Sequence, residues 1–251
     1  MASWPDTERL TMADYENQAY RARPIAGADA QAIDQGLRTH MLSVYNYMTL
    51  GVAMTGLVAY FVSSSPDLVQ AIFATPLKWV ALFAPLGLVM ALSFGINRMS
   101  AGTAQVMFWL YAALNGVAFA TIFIVYPVAD ITRVFFITAA TFGALSLYGY
   151  TTPRSLTGFG SFLFMGLVGI LIASVVNFFL ASSAMTFAIS VIGVLVFAGL
   201  TAYDTQKIKE MYAESDDGET SGKKAIMGAL ALYLDFINLF LMLLRLLSNR
   251  N

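Results

Sequence analysis

Cysteine is absent from the 251 residues, and only one histidine, His40, is present. The first absence excludes disulfides, thiolate metal sites and a cysteine nucleophile, and a single histidine excludes a multi-histidine metal site within one chain. Charged residues are also scarce, at 12%, whereas a soluble domain usually has about 25%. This number of charged residues is too small to cover a water-exposed surface. The chain is therefore predicted to lie in a lipid bilayer. The net charge of -1 provides no basic surface for nucleic acid.

Apolar residues are in excess and form 58% of the chain. A helix needs roughly 20 apolar residues to cross a bilayer core of about 30 Å. Seven runs meet this requirement, and because they are continuously apolar rather than alternating, helices are favoured over a β-barrel. The predicted fold is therefore an all-α membrane protein with seven transmembrane helices, at Met41–Val62, Leu77–Asn97, Ala104–Tyr126, Ile131–Gly149, Gly158–Leu180, Ala184–Tyr203 and Ala225–Leu247.

The segments outside these runs define the domain organisation. Residues 1–36 are polar and mixed in charge, so we predict a poorly ordered N-terminal arm, followed by one transmembrane domain over residues 37–251. Most connections between spans are short. The stretch Asp204–Lys224 is predicted to be the one sizeable hydrophilic loop, and Ser182–Ser183 is predicted to break the apolar sequence between the fifth and sixth spans.

The distribution of lysine and arginine predicts the orientation in the membrane. With the N-terminus in the cytoplasm, ten of the 14 lysines and arginines lie on inner segments and four on outer segments. The positive-inside rule therefore predicts a cytoplasmic N-terminus. Seven complete spans would place the C-terminus outside, whereas a re-entrant last segment would return it to the inside.

Three charged residues lie in or at the ends of apolar runs. Asp235 lies near the middle of the last run, Asp204 ends the sixth, and Arg98 ends the second. A charge at membrane depth costs at least about 2.5–3.5 kcal/mol, so each such residue requires a reason. The predicted topology places the three toward the cytoplasmic side, and they can converge in the inner leaflet if the sixth helix dips or tilts. Asn238, one helical turn beyond Asp235, could extend a polar path.

Two carboxylates in low dielectric cannot both ionise freely, so one proton tends to be shared. Asp204 and Asp235 therefore form a candidate pH-responsive pair. When deprotonated, the pair offers oxygen ligands suited to Ca²⁺, but two side chains hold such an ion only weakly. Arg98 could pair with either carboxylate as a latch. The structural alternatives are a solvated interfacial Asp204, an Arg98 that only follows the positive-inside rule, and a packing role for Asp235.

Three blocks of sequence carry a resemblance to a known family. They are TFGALSLYGYTT at 141–152, GLTAYDTQKIK at 199–209 and ALALYLDFINLF at 229–240. In these blocks the chain resembles the Bax inhibitor-1 family, also called the transmembrane Bax inhibitor motif family, and the likeness extends from about Gly36 to the C-terminus. The resemblance implies seven helices, with the last one central and surrounded by the other six. It also implies a pH-sensitive Ca²⁺ leak in which Asp204 and Asp235 form the sensor and Arg98 the latch.

The leading hypothesis is a pH-sensitive calcium leak channel gated by the aspartate pair, which is not an enzyme and needs no cofactor. Its expected partners are the lipid bilayer, calcium and protons. The short C-terminus lacks the Lys-rich tail of animal members, which favours a bacterial inner-membrane protein. One alternative is an interaction protein that restrains a membrane protease or stress response, with the N-terminal arm as the contact.

Another alternative is an intramembrane aspartyl protease. The Tyr203-Asp204 pair, with Asp235 on the next span, resembles the presenilin type, in which one carboxyl is neutral and the other ionised. The second motif of that type is Gly-x-Gly-Asp, whereas Leu232-Tyr233-Leu234-Asp235 stands here, and the chain's end has no Pro-Ala-Leu element. The sequence therefore disfavours proteolysis.

Overall fold

A computed structural model describes the backbone of residues 12–248 and the side chains of residues 34–248. The chain divides into two compact units, Met1–Thr39 and His40–Asn251. Helix α1 begins at Met12, so residues 12–36 of the predicted arm have a helical backbone. Residues 1–11 lie outside the described part, and the expectation of a poorly ordered arm stays a prediction.

The described residues form long helices joined by short connections, as the apolar runs predict. Seven of these helices are long and apolar enough to cross a membrane, which confirms the all-α, seven-helix fold. The helices are α1 (Met12–Ser63), α2 (Pro66–Phe73), α3 (Leu77–Gly95), α4 (Ala101–Val125), α5 (Val128–Thr151), α6 (Thr157–Leu180), α7 (Ser183–Glu210) and α8 (Gly218–Leu247). A 3-10 turn, Ile96–Arg98, extends α3.

Large apolar side chains cover the outer surfaces of the spanning helices. Phe94, Phe178 and Phe179 are 81%, 83% and 79% exposed, and many leucines and isoleucines are more than half exposed. Soluble monomers rarely expose contiguous apolar surface on this scale. These faces are therefore the ones that contact lipid hydrocarbon.

The last helix, α8, is the most buried of the seven spans. In its most apolar stretch 61% of the residues are buried, compared with 11–39% in the other spans, which confirms the prediction of a central last helix. Its Tyr233 is fully buried and lies 2.8 Å from the hydroxyl of Thr55 on α1. Tyr233 also makes edge contacts with Phe108 and Tyr111 of α4.

The predicted loop Asp204–Lys224 is wrong in its extent. Helix α7 continues to Glu210 and α8 begins at Gly218, so only residues 211–217 connect them. The charged residues that end the apolar run are still helical, since lysines favour the last turn of a helix. At the other side Asp217 caps α8 by accepting a hydrogen bond of 2.7 Å from the backbone N–H of Thr220. Hydrogen bonds from the side-chain hydroxyl and from the backbone N–H of Thr220 lower the pKa of the exposed Asp217 carboxyl.

The break predicted at Ser182–Ser183 is confirmed. Helix α6 ends at Leu180, and Ala181 has the left-handed conformation, with φ of 50°. Ser182 then caps α7 by accepting a hydrogen bond from the backbone N–H of Met185. The short helix α2 was not predicted, because eight residues are too few to register as an apolar run.

Helices α5 and α7 approach each other closely at Gly149. A Cβ atom there would lie 2.9 Å from the carbonyl carbon of Ala202 and nearer still to its oxygen. Glycine therefore permits direct backbone contact. One turn away, Ser146 lies 2.9 Å from the hydroxyl of Thr205 on α7 and 2.6 Å from that of Tyr45 on α1. This contact sets the position of the α7 segment that carries Asp204.

Candidate functional site

Asp235 lies in the interior of α8 and is 4% exposed. Its neighbours in sequence, Leu234 and Phe236, are apolar and continue the helix on both sides. The Oδ2 atom of Asp235 is buried and has no hydrogen-bond partner among the described residues. Buried polar atoms without partners are uncommon because each costs free energy. Asp235 is therefore a candidate functional group rather than an ordinary packing residue.

Asp204 lies on α7, six residues before that helix ends at Glu210. Its carboxyl group interacts directly with that of Asp235. The two helices are consecutive and joined by seven residues, 211–217, so they pack side by side and bring these positions together. The structure thus joins two of the residues that the sequence selected.

Both carboxyl groups line one cavity of about 730 Å³ between α6, α7 and α8. Asn238 lines it as well, and its side-chain amide donates a hydrogen bond of 2.8 Å to the carbonyl of Leu234. Much of the remaining wall is apolar and includes Phe164, Phe197 and Leu200. Apolar walls lower the dielectric around the pair and strengthen the electrostatic interactions inside the cavity.

Lys207 is a cavity residue that sequence reasoning missed. It lines the same cavity one turn beyond Asp204 on α7, and its charge interacts with that carboxyl. Its side chain is exposed, so the ammonium group lies where the cavity meets solvent. The i, i+3 spacing from Asp204 is a usable signal for this position, but the apolar pattern alone predicts that Lys207 lies in a loop.

Arg98 is separated from this arrangement. It ends the 3-10 turn after α3, its side chain is exposed, and it does not line the cavity. Among residues 34–248, no carboxylate forms an ion pair with Arg98. The latch role stays a prediction.

A metal site in the described residues would have to be built from the aspartate pair. No group of three or more acidic or histidine side chains occurs there in an arrangement that could hold a metal ion. Ca²⁺ takes 6–8 oxygen ligands, so the pair would supply only part of its coordination. A weak calcium site at Asp204 and Asp235 stays a prediction.

The α5–α6 connection is tied to α7 next to the site. Gln206 accepts a hydrogen bond of 2.7 Å from the N–H of Leu156 and donates one of 2.9 Å to the carbonyl of Arg154. Lys209 donates a hydrogen bond of 2.9 Å to the carbonyl of Tyr150 and lies 5.1 Å from the centre of its ring. These contacts hold the α7 segment that carries Asp204 and Lys207 in a defined orientation.

Comparison with known families agrees with this architecture. The family described as "Inhibitor of apoptosis-promoting Bax1" matches residues 37–251, which include all three sequence blocks and both aspartates. The chain belongs to the Bax inhibitor-1 family. The resemblance found in the sequence is thereby confirmed, and residues 1–36 lie outside the family match.

Proteins from several bacteria are similar to most of the chain. The inner membrane protein YbhL of Escherichia coli K12 is 51% identical over 218 residues, which cover 86% of this chain and 93% of YbhL. An uncharacterized protein of Rickettsia prowazekii is 49% identical over 88% of this chain and 93% of its own length. A membrane protein of Streptococcus pyogenes is 35% identical over 87% and 96%. The chain is therefore a bacterial-type member of the family.

Proposed function

We propose that this protein is a pH-sensitive calcium leak channel gated by the Asp204–Asp235 pair. One observation carries the proposal: two carboxyl groups on adjacent spanning helices meet in a cavity, and one of them is 4% exposed. Intramembrane carboxylates are costly and typically mark ion or proton pathways. Membership in the Bax inhibitor-1 family supports this assignment.

The first step of the mechanism is proton sharing between the carboxyl groups. Two carboxylates in contact within low dielectric repel each other, so a single proton held between them stabilises the pair. That proton bonds α7 to α8 and closes the polar path. Loss of the proton leaves two negative charges, which separate unless a cation lies between them. Protonation is thereby coupled to the distance between the two helices.

The second step is the passage of Ca²⁺ along the deprotonated carboxylates. Two carboxylates and the side chain of Asn238 offer oxygen ligands, and water completes the coordination. Such a site binds weakly, and weak binding allows an ion to leave as well as to enter. Lys207 at the mouth repels cations and limits the leak.

Calcium flux measured on purified protein tests the proposal. In proteoliposomes loaded with a fluorescent Ca²⁺ indicator, we expect flux through the wild-type protein to change with pH. The double variant Asp204→Asn plus Asp235→Asn should lose this pH dependence, because it has no titratable pair. Asp67→Asn is the matched control, since Asp67 is an exposed aspartate on α2. An identical flux–pH curve for the double variant and the wild type would refute the gating role.

We also place the protein in the bacterial inner membrane with its N-terminus in the cytoplasm. The support is the name of the Escherichia coli relative and the excess of lysine and arginine on one set of segments. Because the chain has no cysteine, single variants allow labelling without background. Glu214→Cys should react with a membrane-impermeant thiol reagent only after the cells are opened, and Asp67→Cys should react in intact spheroplasts. The reverse pattern would invert the topology.

Regulation of a membrane protease through residues 1–36 stays a prediction. Deletion of residues 1–36 separates the two roles: loss of partner binding with unchanged calcium flux would favour regulation. Loss of flux with partner binding intact would assign the segment to the channel instead.

A further inference from the structure

A second cavity, of about 370 Å³, lies between α1, α4, α5 and α8. It borders α8 at Phe236, Ile237 and Phe240, on the opposite side of the helix from Asp235 and Asn238. Its volume falls within the range of about 300–1,000 Å³ for small-molecule sites. Of its 14 lining residues, 12 are apolar and six are phenylalanines, so its occupant must be largely apolar.

The two polar residues of the lining, Thr55 and Thr132, are already hydrogen-bonded within the protein. The hydroxyl of Thr55 lies 2.9 Å and 2.8 Å from the carbonyls of Gly51 and Ala112 and 2.8 Å from the hydroxyl of Tyr233. The hydroxyl of Thr132 donates to the carbonyl of Val128 at 2.9 Å. A ligand with many polar groups would find few partners there, whereas a hydrocarbon chain needs none.

The cavity opens toward the lipid-facing surface. Gly56, Thr132 and Phe136 line it and are exposed, the last at 66%. A Cβ atom on Gly56 would have no neighbour within 4 Å, so the absence of a side chain on α1 keeps this opening wide. Because these helices span the membrane, the phase at the opening is lipid hydrocarbon. An occupant therefore enters from the bilayer.

A cationic side chain lies next to the lining residue Thr132. Arg133 is 58% exposed, and it donates a hydrogen bond of 2.7 Å to the carbonyl of Leu247, where α8 ends. It therefore reaches the end of a spanning helix, where lipid phosphates lie. Its ion pair with Asp130 is 3.2 Å long and uses the same Nη2 atom as the contact with Leu247, whereas a guanidinium has five N–H donors on three nitrogens. The guanidinium can therefore also bind a phosphate oxygen.

We infer that this cavity is a binding site for one membrane phospholipid, with an acyl chain between α1, α4, α5 and α8 and the phosphate against Arg133. The inference is independent of the proposed calcium leak, since the two cavities share no lining residue. The bound chain would fill the space between four spanning helices and stabilise their packing.

Native mass spectrometry tests the acyl-chain part of this inference. Wild-type protein extracted in mild detergent should retain one phospholipid. Gly56→Leu should retain severalfold less, because its side chain occupies the opening. The matched control is Gly87→Leu: Gly87 is also an exposed helical glycine with no neighbour within 4 Å of a Cβ, but it lies on α3, outside the cavity lining. Equal retention by the Gly56 variant and the wild type would overturn the inference.

The headgroup contact has its own test. Arg133→Gln should weaken phospholipid retention severalfold, whereas Lys78→Gln, which removes a cation at the start of α3 outside the lining, should leave it unchanged. Thermal unfolding of each variant, measured with and without added phospholipid, separates lost binding from lost folding. Retention of an apolar molecule without phosphate would overturn the assignment to a phospholipid, as would equal weakening by both substitutions.

Discussion

Replacing Gly149 by alanine tests how closely α5 and α7 must approach. The new Cβ would lie 2.9 Å from the carbonyl carbon of Ala202 and nearer still to its oxygen. The contacted carbon and oxygen are backbone atoms of Ala202 in α7, so no side chain can rotate away from the new Cβ. The two helices would have to separate by roughly 1 Å to restore normal packing. The 2.9 Å contact between the hydroxyls of Ser146 and Thr205 would then stretch beyond hydrogen-bonding distance.

Two terms give the expected magnitude. Overpacking in a well-packed interior costs about 1–3 kcal/mol, and a lost hydrogen bond adds about 0.5–1.5 kcal/mol. We therefore expect Gly149→Ala to lower the free energy of unfolding by about 1.5–4.5 kcal/mol, which reversible denaturation in mixed detergent micelles would measure. The matched control on α5 is Gly143→Ala, where a Cβ meets nothing within 4 Å and alanine favours the helix by up to about 1 kcal/mol. Equal stability of the two variants would refute the close backbone contact.

Three further predictions concern other parts of the molecule. Lys207→Gln should increase calcium flux severalfold at every pH because it removes the cation at the cavity mouth, whereas Arg98→Gln should change flux less. A larger effect of Arg98→Gln in the proteoliposome assay would favour a latch role for Arg98. Tyr233→Phe should destabilise the protein by about 0.5–1.5 kcal/mol in the same denaturation assay through loss of a buried hydrogen bond, and no change would mean that the bond contributes nothing. The pKa of Asp217 should lie below its usual 3.8 in a carboxyl ¹³C NMR titration. Thr220→Ala should raise this pKa, because the hydrogen bond from the Thr220 hydroxyl to the ionised carboxylate is lost while the backbone N–H bond remains; an unshifted value in both proteins would contradict the cap.

The spans were predictable because hydropathy is a local property of the sequence. The seven apolar runs coincide with the helices to within a few residues at most ends. The errors occur where a helix continues outside the apolar run, as at Lys209, or begins before it, as at Gly218. At these helix ends, polar side chains stabilise turns that are exposed to water. The hydropathy of the sequence therefore falls while the backbone stays helical.

The site was predictable only in part. Asp204 and Asp235 could be selected because a carboxylate in an apolar run has few ordinary explanations. The sequence shows that Arg98 lies at the end of a span, but it does not show in which direction the side chain faces. In the structure Arg98 is exposed and does not line the cavity. Lys207 was missed for the converse reason: its helical position relative to Asp204 is evident only when α7 is known to extend past the apolar run.

The hydroxyl groups of Tyr45, Ser146 and Thr205 have a consequence for how protons travel. Thr205 donates its single hydrogen to the carbonyl of Thr201, so Ser146 must donate to Thr205, and Tyr45 to Ser146. All three hydrogens thus point one way and end on a peptide oxygen, which cannot accept a proton for onward transfer. The row therefore cannot act as a proton wire toward α7, and the protonation of Asp204 that we propose must use a different route, for which the cavity that Lys207 also lines is the candidate.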